Sequence, residues 1–148
     1  MPIAHGLHLT APAYDVEWLK RWPNFRPAEF ACKCAGRFCD GRYWHDEEFL
    51  DALQALRREA GRPLVINSGH RCPEWNEASD GARKSPHLKI AADIALEGHD
   101  RWALRDAAIR CGFKGLGFGR TFLHIDRRAN EARWDYGPAS RVAWKPPR

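Results

Sequence analysis

Gly115-Leu116-Gly117-Phe118-Gly119-Arg120-Thr121-Phe122-Leu123-His124-Ile125-Asp126-Arg127 is the stretch that decides the fold. It reads as two strands, 115–119 and 121–127, meeting at a tight turn around Gly119-Arg120. Successive side chains on a strand point to opposite faces, so His124 and Asp126 project from the same face of the second strand.

Working outward, Ile90 to Leu96 reads as another strand, with Ala91, Asp93 and Ala95 on one face and His87 just before its start. If these two strands are neighbours, His87, Asp93 and His124 converge, with Asp126 as one extra carboxylate. Two imidazoles and a carboxylate form a three-ligand set for Zn2+ that leaves a fourth position open for water, the mark of a catalytic site. Metal-bound water ionises near neutral pH, with a pKa of about 7. Hydrolysis by such a site also needs a base for the water proton and a cation for the oxyanion. Asp126 is the nearest candidate base by spacing, and it reads equally well as a carboxylate that orients a ligand through a hydrogen bond. Arg71, just past a short β-branched run at 64–68, is the candidate cation. The remaining histidines, His5, His8, His45, His70 and His99, read as packed or solvated side chains.

The rest of the chain supplies scaffold. The clearest helix covers 46–60: Asp46 is an N-cap, Glu47 and Glu48 sit in the first turn, Phe49, Leu50, Leu53 and Leu56 recur at helical spacing, and Gly61 stops it. A second helix covers 100–111, with Asp100 as N-cap and Gly112 at its end. Pro27 to Phe30 opens a short helical turn, Pro73 to Asn76 begins another, and 79–85 is a polar surface loop. Residues 1–26 read as an irregular arm docked through Trp18, Trp22, Phe25 and Phe30, and 129–148 as an aromatic, proline-rich tail. Strands and helices mix without a βαβ rhythm. The expectation is one α+β domain spanning 1–148, with a small, mostly antiparallel sheet and flanking helices.

Composition bounds the function. The chain has 148 residues, 44% of them apolar and 29% charged, within the range of ordinary globular proteins. Its net charge of +5 suits solubility or attraction to a polyanion, either nucleic acid or an anionic cell wall. No aromatic-basic stripe or helix-turn-helix pattern supports nucleic acid as the partner. No apolar run reaches bilayer length, which argues against membrane insertion. Met1 to Leu9 shows no secretory signal, which implies synthesis in the cytoplasm. Of the five cysteines, Cys32, Cys34 and Cys39 cluster while Cys72 and Cys111 stand apart. A second zinc on Cys32, Cys34 and Cys39, with Cys72 as a fourth ligand, is conceivable. Cys-x-Cys-x4-Cys is not a standard finger spacing, however, and reduced thiols are the simpler expectation.

Ser68-Gly69-His70-Arg71, Ser85-Pro86-His87 through Ala92-Asp93, and Phe122-Leu123-His124-Ile125-Asp126 together resemble the zinc D-Ala-D-Ala carboxypeptidases and L-alanyl-D-glutamate endopeptidases. The likeness is to their short, single-domain phage form. Phe30-Ala31-Cys32-Lys33-Cys34 and the helix from Asp46 share in the resemblance, which covers roughly 25–128. It implies a hedgehog-like α+β fold and Zn2+ held by His87, Asp93 and His124. It implies that Arg71 contacts substrate and oxyanion and that Ser85 supports the substrate site. The substrate implied is the peptidoglycan stem peptide or crosslink, reached in the cell wall, as by a phage endolysin. Three departures stand out. The link from His87 to Asp93 is one residue shorter than the family's and lacks its glycine. Thr121 stands where several branches have a glutamate. His70 replaces a common tyrosine. The first two motivate an alternative expectation, a non-catalytic wall-binding or phage structural protein that keeps the fold.

Overall fold

In the computed structural model, which describes residues 2–79 and 81–146, the chain runs β1 (Gly6–His8), α1 (Val16–Arg21), β2 (Tyr43–His45), α2 (Glu47–Ala60), β3 (Ile66–Ser68), α3 (Pro73–Ala78), β4 (Ala92–Ala95), α4 (Arg101–Arg110), β5 (Gly115–Phe118), β6 (Phe122–Asp126), β7 (Ala132–Asp135) and α5 (Pro138–Ala143). Single 3-10 turns lie at Pro27–Phe30 and Pro86–Leu88. The main sheet has the order β3-β4-β6-β5-β7, and β1 and β2 form a separate two-stranded ribbon. Every pairing is antiparallel except β5 with β7. This is the α+β architecture, with a mostly antiparallel sheet, that the sequence predicts.

Local chemistry explains the elements. The β5–β6 hairpin closes where the Gly119 amide donates to the Phe122 carbonyl at 3.0 Å. Asp46 caps α2 by accepting from the Phe49 amide at 3.1 Å, and Gly61 ends the helix in a left-handed conformation at φ 71°. Asp100 accepts from both the Trp102 and Ala103 amides at the start of α4. Leu53 and Leu56 of α2 and Leu104 and Ala108 of α4 share one core with Ile94, Leu116, Leu123 and Ile125 of the central strands. The helices therefore cover one face of the sheet, and the alternating residues Asp93, His124 and Asp126 belong to the other.

Two expectations need correction. The arm at 1–26 is not irregular, since it contains β1, paired with β2, and α1. Asp15 caps α1 at the Trp18 amide, and Trp18 and Trp22, one turn apart, sink into the core. An element of six residues between prolines is too short to display a period. The tail, described through residue 146, also carries regular elements: it adds β7 in parallel beside β5 and then folds into α5. Trp144 pins that return by donating its indole N–H to the Gly119 carbonyl at 2.6 Å.

Candidate metal centre

The site lies along one row of the sheet. Ser68 on β3 is the register partner of Asp93 on β4, Asp93 of His124 on β6, His124 of Gly117 on β5, and Gly117 of Trp134 on β7. Neighbours in such a row have side chains on the same face within contact range. His87 arrives from outside the sheet on the 3-10 turn Pro86–Leu88, where the Ser85 hydroxyl accepts from the His87 amide at 3.1 Å. His87 and His124 are both buried, each 3% exposed.

Hydrogen bonding fixes which nitrogen of each imidazole is free. His87 Nδ1 donates to the Gly69 carbonyl at 2.6 Å, which leaves its Nε2 lone pair open. His124 Nε2 donates to Asp126 Oδ2 at 2.7 Å, which leaves its Nδ1 lone pair open. These two open nitrogens stand 3.1 Å apart, and they face Asp93 Oδ1 at 3.2 and 2.9 Å respectively. With both imidazoles neutral, three acceptors converge, an arrangement that needs a proton or a metal cation among them. Ligand atoms around a tetrahedral zinc with bonds of ~2.0–2.1 Å lie about 3.3 Å from each other, and this triangle has that size. The donor set therefore fits a divalent metal. The link of 6 residues from His87 to Asp93 brings the two side chains within 3.2 Å of each other.

The electrostatics agree. Burial opposes ionisation of Asp93, but hydrogen bonds from His124 and His87 prevail and hold its carboxyl well below the usual range. Burial likewise disfavours the imidazolium of His124, yet Asp126 and Asp93 on its two sides raise its pKa overall.

Asp126 occupies a different place from the one expected of a base. It is 1% exposed and lies behind His124. Oδ1 takes up the Arg128 amide and Nε, and Oδ2 takes up Arg128 Nη2 together with His124 Nε2. Burial works against its ionisation, while Arg128 and then His124 pull its pKa far below the carboxylate norm. A carboxylate so engaged and so acidic has no room or basicity for a water in the pocket. Of the two readings of Asp126, the geometry matches the orienting one. Gly115 makes room for it, since a Cβ there would collide with the Asp126 carboxylate.

Arg71 extends its Nη2 to Asp93 Oδ2 at 3.3 Å, and its Nε donates to the Ser68 hydroxyl at 3.1 Å. Its backbone amide donates to the His87 carbonyl at 2.6 Å, so the arginine and histidine segments are tied together. A pocket of ≈ 580 Å³ opens beside the cluster. Arg71, Ser85, His87, Asp93 and His124 line it, with Lys84 and Arg128 adding positive charge.

Trp134 and Tyr136, which the sequence places only in an aromatic tail, also line the pocket. Trp134 packs on His124 with ring centroids 5.1 Å apart, and the Arg128 guanidinium lies 4.8 Å above the Trp134 ring. Gly117 permits this wall: a Cβ there would stand 2.7 Å from Trp134 Nε1 and 2.6 Å from the Tyr136 hydroxyl. The Trp-x-Tyr spacing, which on a strand directs both rings to one face, was the available signal.

A small α+β sheet carrying a two-histidine, one-aspartate cluster at the mouth of an open basic pocket is the arrangement of a metal-dependent hydrolase. The family model described as Peptidase M15 matches residues 23–126, most of the chain. The chain belongs to the peptidase M15 family, and so to the metallopeptidases. No curated protein sequence matches it.

Proposed function

We propose that the protein is a zinc-dependent peptidase that cleaves peptide bonds of bacterial peptidoglycan, in the stem peptide or the crosslink. The convergence of His87 Nε2, Asp93 Oδ1 and His124 Nδ1 beside an open pocket carries this reading. His87, Asp93 and His124 are the residues that would hold the ion. Zinc in such a site supplies a water acidified to a pKa of about 7 and polarises the scissile carbonyl.

The chain's own groups do the rest. Asp126 keeps the proton of His124 on Nε2 and thereby aims Nδ1 at the centre. Gly69 does the same for His87 through its carbonyl. Arg71 is positioned to donate to a substrate carboxylate or to the carbonyl oxygen as negative charge develops on it. Ser85 shapes the turn that presents His87 and borders the substrate space. Lys84 and Arg128 make the pocket attractive to the carboxylates of a stem peptide, and Trp134 and Tyr136 supply an apolar wall. The substrate belongs to the cell wall, so the proposed site of action is outside the cytoplasm, in keeping with a phage-type lysis enzyme.

One observation favours the competing reading of a wall-binding protein without activity. Among the described residues, Asp93 is the single carboxylate that lines the pocket, and it is already engaged. Mass analysis of purified muropeptides after incubation with the protein decides between the two. The proposal expects shortened stem peptides, abolished by a chelator and restored by zinc. Unchanged muropeptides from a protein that holds zinc at this centre would leave only the binding role.

A further inference from the structure

Cys32, Cys34, Cys39 and Cys72 bring their sulfurs within 4.8 Å of one another. They form a cluster separate from the main core, with Trp75 packed against it. All four are free thiols, three of them buried and Cys39 partly so. Three come from the loop between the Pro27–Phe30 turn and β2, and Cys72 comes from the residue just before α3. The loop is bent around the sulfurs. Ala35, at φ 58°, is the one non-glycine residue with positive φ among those described, and Gly36 follows at φ 80°. L side chains rarely adopt that conformation, so the bend is held by contacts that offset its strain.

Backbone amides point at every sulfur. The Cys72 N–H donates to Cys32 Sγ at 3.3 Å and the Arg42 N–H to Cys39 Sγ at 3.5 Å. The amides of Phe38, Cys39 and Gly36 face the Cys34 sulfur, and that of Trp75 faces Cys72. Amides aimed at sulfur stabilise thiolates, which is the form that binds metal.

We propose that these four cysteines hold a second Zn2+ in a closed thiolate shell, a structural site separate from the centre at His87, Asp93 and His124. Four protein ligands leave no position for water, so the site is a brace and not a reaction centre. It has a definite load to bear. Cys72 directly follows Arg71, so the ion would staple the 32–39 loop to the segment that presents the guanidinium beside Asp93. The sequence offers this four-cysteine set only as a conceivable one, because its spacing is not a standard finger spacing and Cys72 lies 40 residues from Cys32.

Elemental mass spectrometry of the purified full chain tests this independently of any peptidase activity. The wild type is expected to carry two zinc ions, and the His87→Ala/His124→Ala variant one. The Cys34→Ser/Cys39→Ser variant should carry only the other. Because cysteine variants risk unfolding, the histidine double variant is also titrated with a mercurial. Beyond the one equivalent taken up by Cys111, its zinc should leave in step with modification of the other four thiols, and its cobalt-substituted form should show an intense thiolate-to-cobalt charge-transfer band. A histidine double variant free of zinc with reactive thiols, one whose intact mass shows two disulfides, or one holding iron in place of zinc would overturn the proposal. Failure of the peptidase reading looks different: a wild type that holds zinc on its cysteines and none on His87 and His124.

Discussion

Asp93 and His124 are direct register partners across β4 and β6, with Oδ1 and Nδ1 2.9 Å apart. Sheet pairing, not loop conformation, therefore sets the spacing of this pair. Only His87 is delivered from outside the sheet, and its amide and its Nδ1 are both tied down.

Metal binding should depend on pH with a defined sign. In the metal-free protein, a second proton on His124, at Nδ1 facing Asp93, would take the place of the cation. The pKa of His124 is raised above its ordinary 6.5, so the stability it lends the metal-free fold is full below about 6.5 and is lost as pH rises through the folded value. Asp93 and Asp126 have depressed values, so their contribution is present above their ordinary 3.8 and is lost as pH falls through the folded values. These three groups favour the metal-free fold most between about pH 4 and 6.5, whereas the buried His45 and His70, with lowered pKa values, favour it above that range; the gain in Tm on adding zinc should grow with pH as the proton becomes easier to displace. Thermal melts with and without zinc across that range check both slopes.

Asp126→Asn should weaken zinc binding by about 10–100-fold, because Nε2 of His124 loses the acceptor that aims Nδ1. Competition with a chromogenic chelator measures this. If Asp126 were instead a base acting on the pocket water, the variant would keep its zinc affinity and lose turnover alone.

Arg71→Ala should retain full zinc at the histidine centre while losing about 10²–10³-fold in peptidase turnover, the usual cost of one oxyanion donor. Arg71→Lys should recover little of it, since a single ammonium cannot reproduce the fork that meets Ser68 and Asp93 together. Metal content and muropeptide cleavage are read on the same preparations.

Gly117→Ala should disturb the substrate wall without touching the metal ligands. Its Cβ meets Trp134 and Tyr136, so overpacking of about 1–3 kcal/mol is expected, together with a raised KM and unchanged zinc content. Denaturant unfolding and steady-state kinetics separate the two effects.

The sequence carried the parts of the fold whose signals are local and long. The hairpin at β5–β6 announced itself by alternation, α2 and α4 by capped apolar periodicity, and His87, Asp93 and His124 by their place on or beside strands. The two-residue phase of a strand is what made a common face legible for residues on β4 and β6. Legibility ended where a signal was short or tertiary. α1 and β7 are brief segments whose stability comes from Trp18, Trp22 and Trp144 packing on distant elements. The role of Asp126 turns on which nitrogen of His124 it meets, a matter of side-chain rotation that spacing does not encode. Cys72 joins its three partners only because Ser68 to Arg71 passes close under the backbone of Phe30, where the His70 amide donates to the Phe30 carbonyl at 2.9 Å and Gly69 leaves no room for a Cβ.

Anomalous diffraction at the zinc edge, from crystals of the full chain, examines the central claim most directly. The account predicts a peak among His87 Nε2, Asp93 Oδ1 and His124 Nδ1, at about 2.0–2.1 Å from each nitrogen and about 2.0–2.2 Å from the oxygen, with its remaining side open to the pocket. A map from zinc-supplemented crystals with no peak at that point, and with His124 donating directly to Asp93, would contradict it.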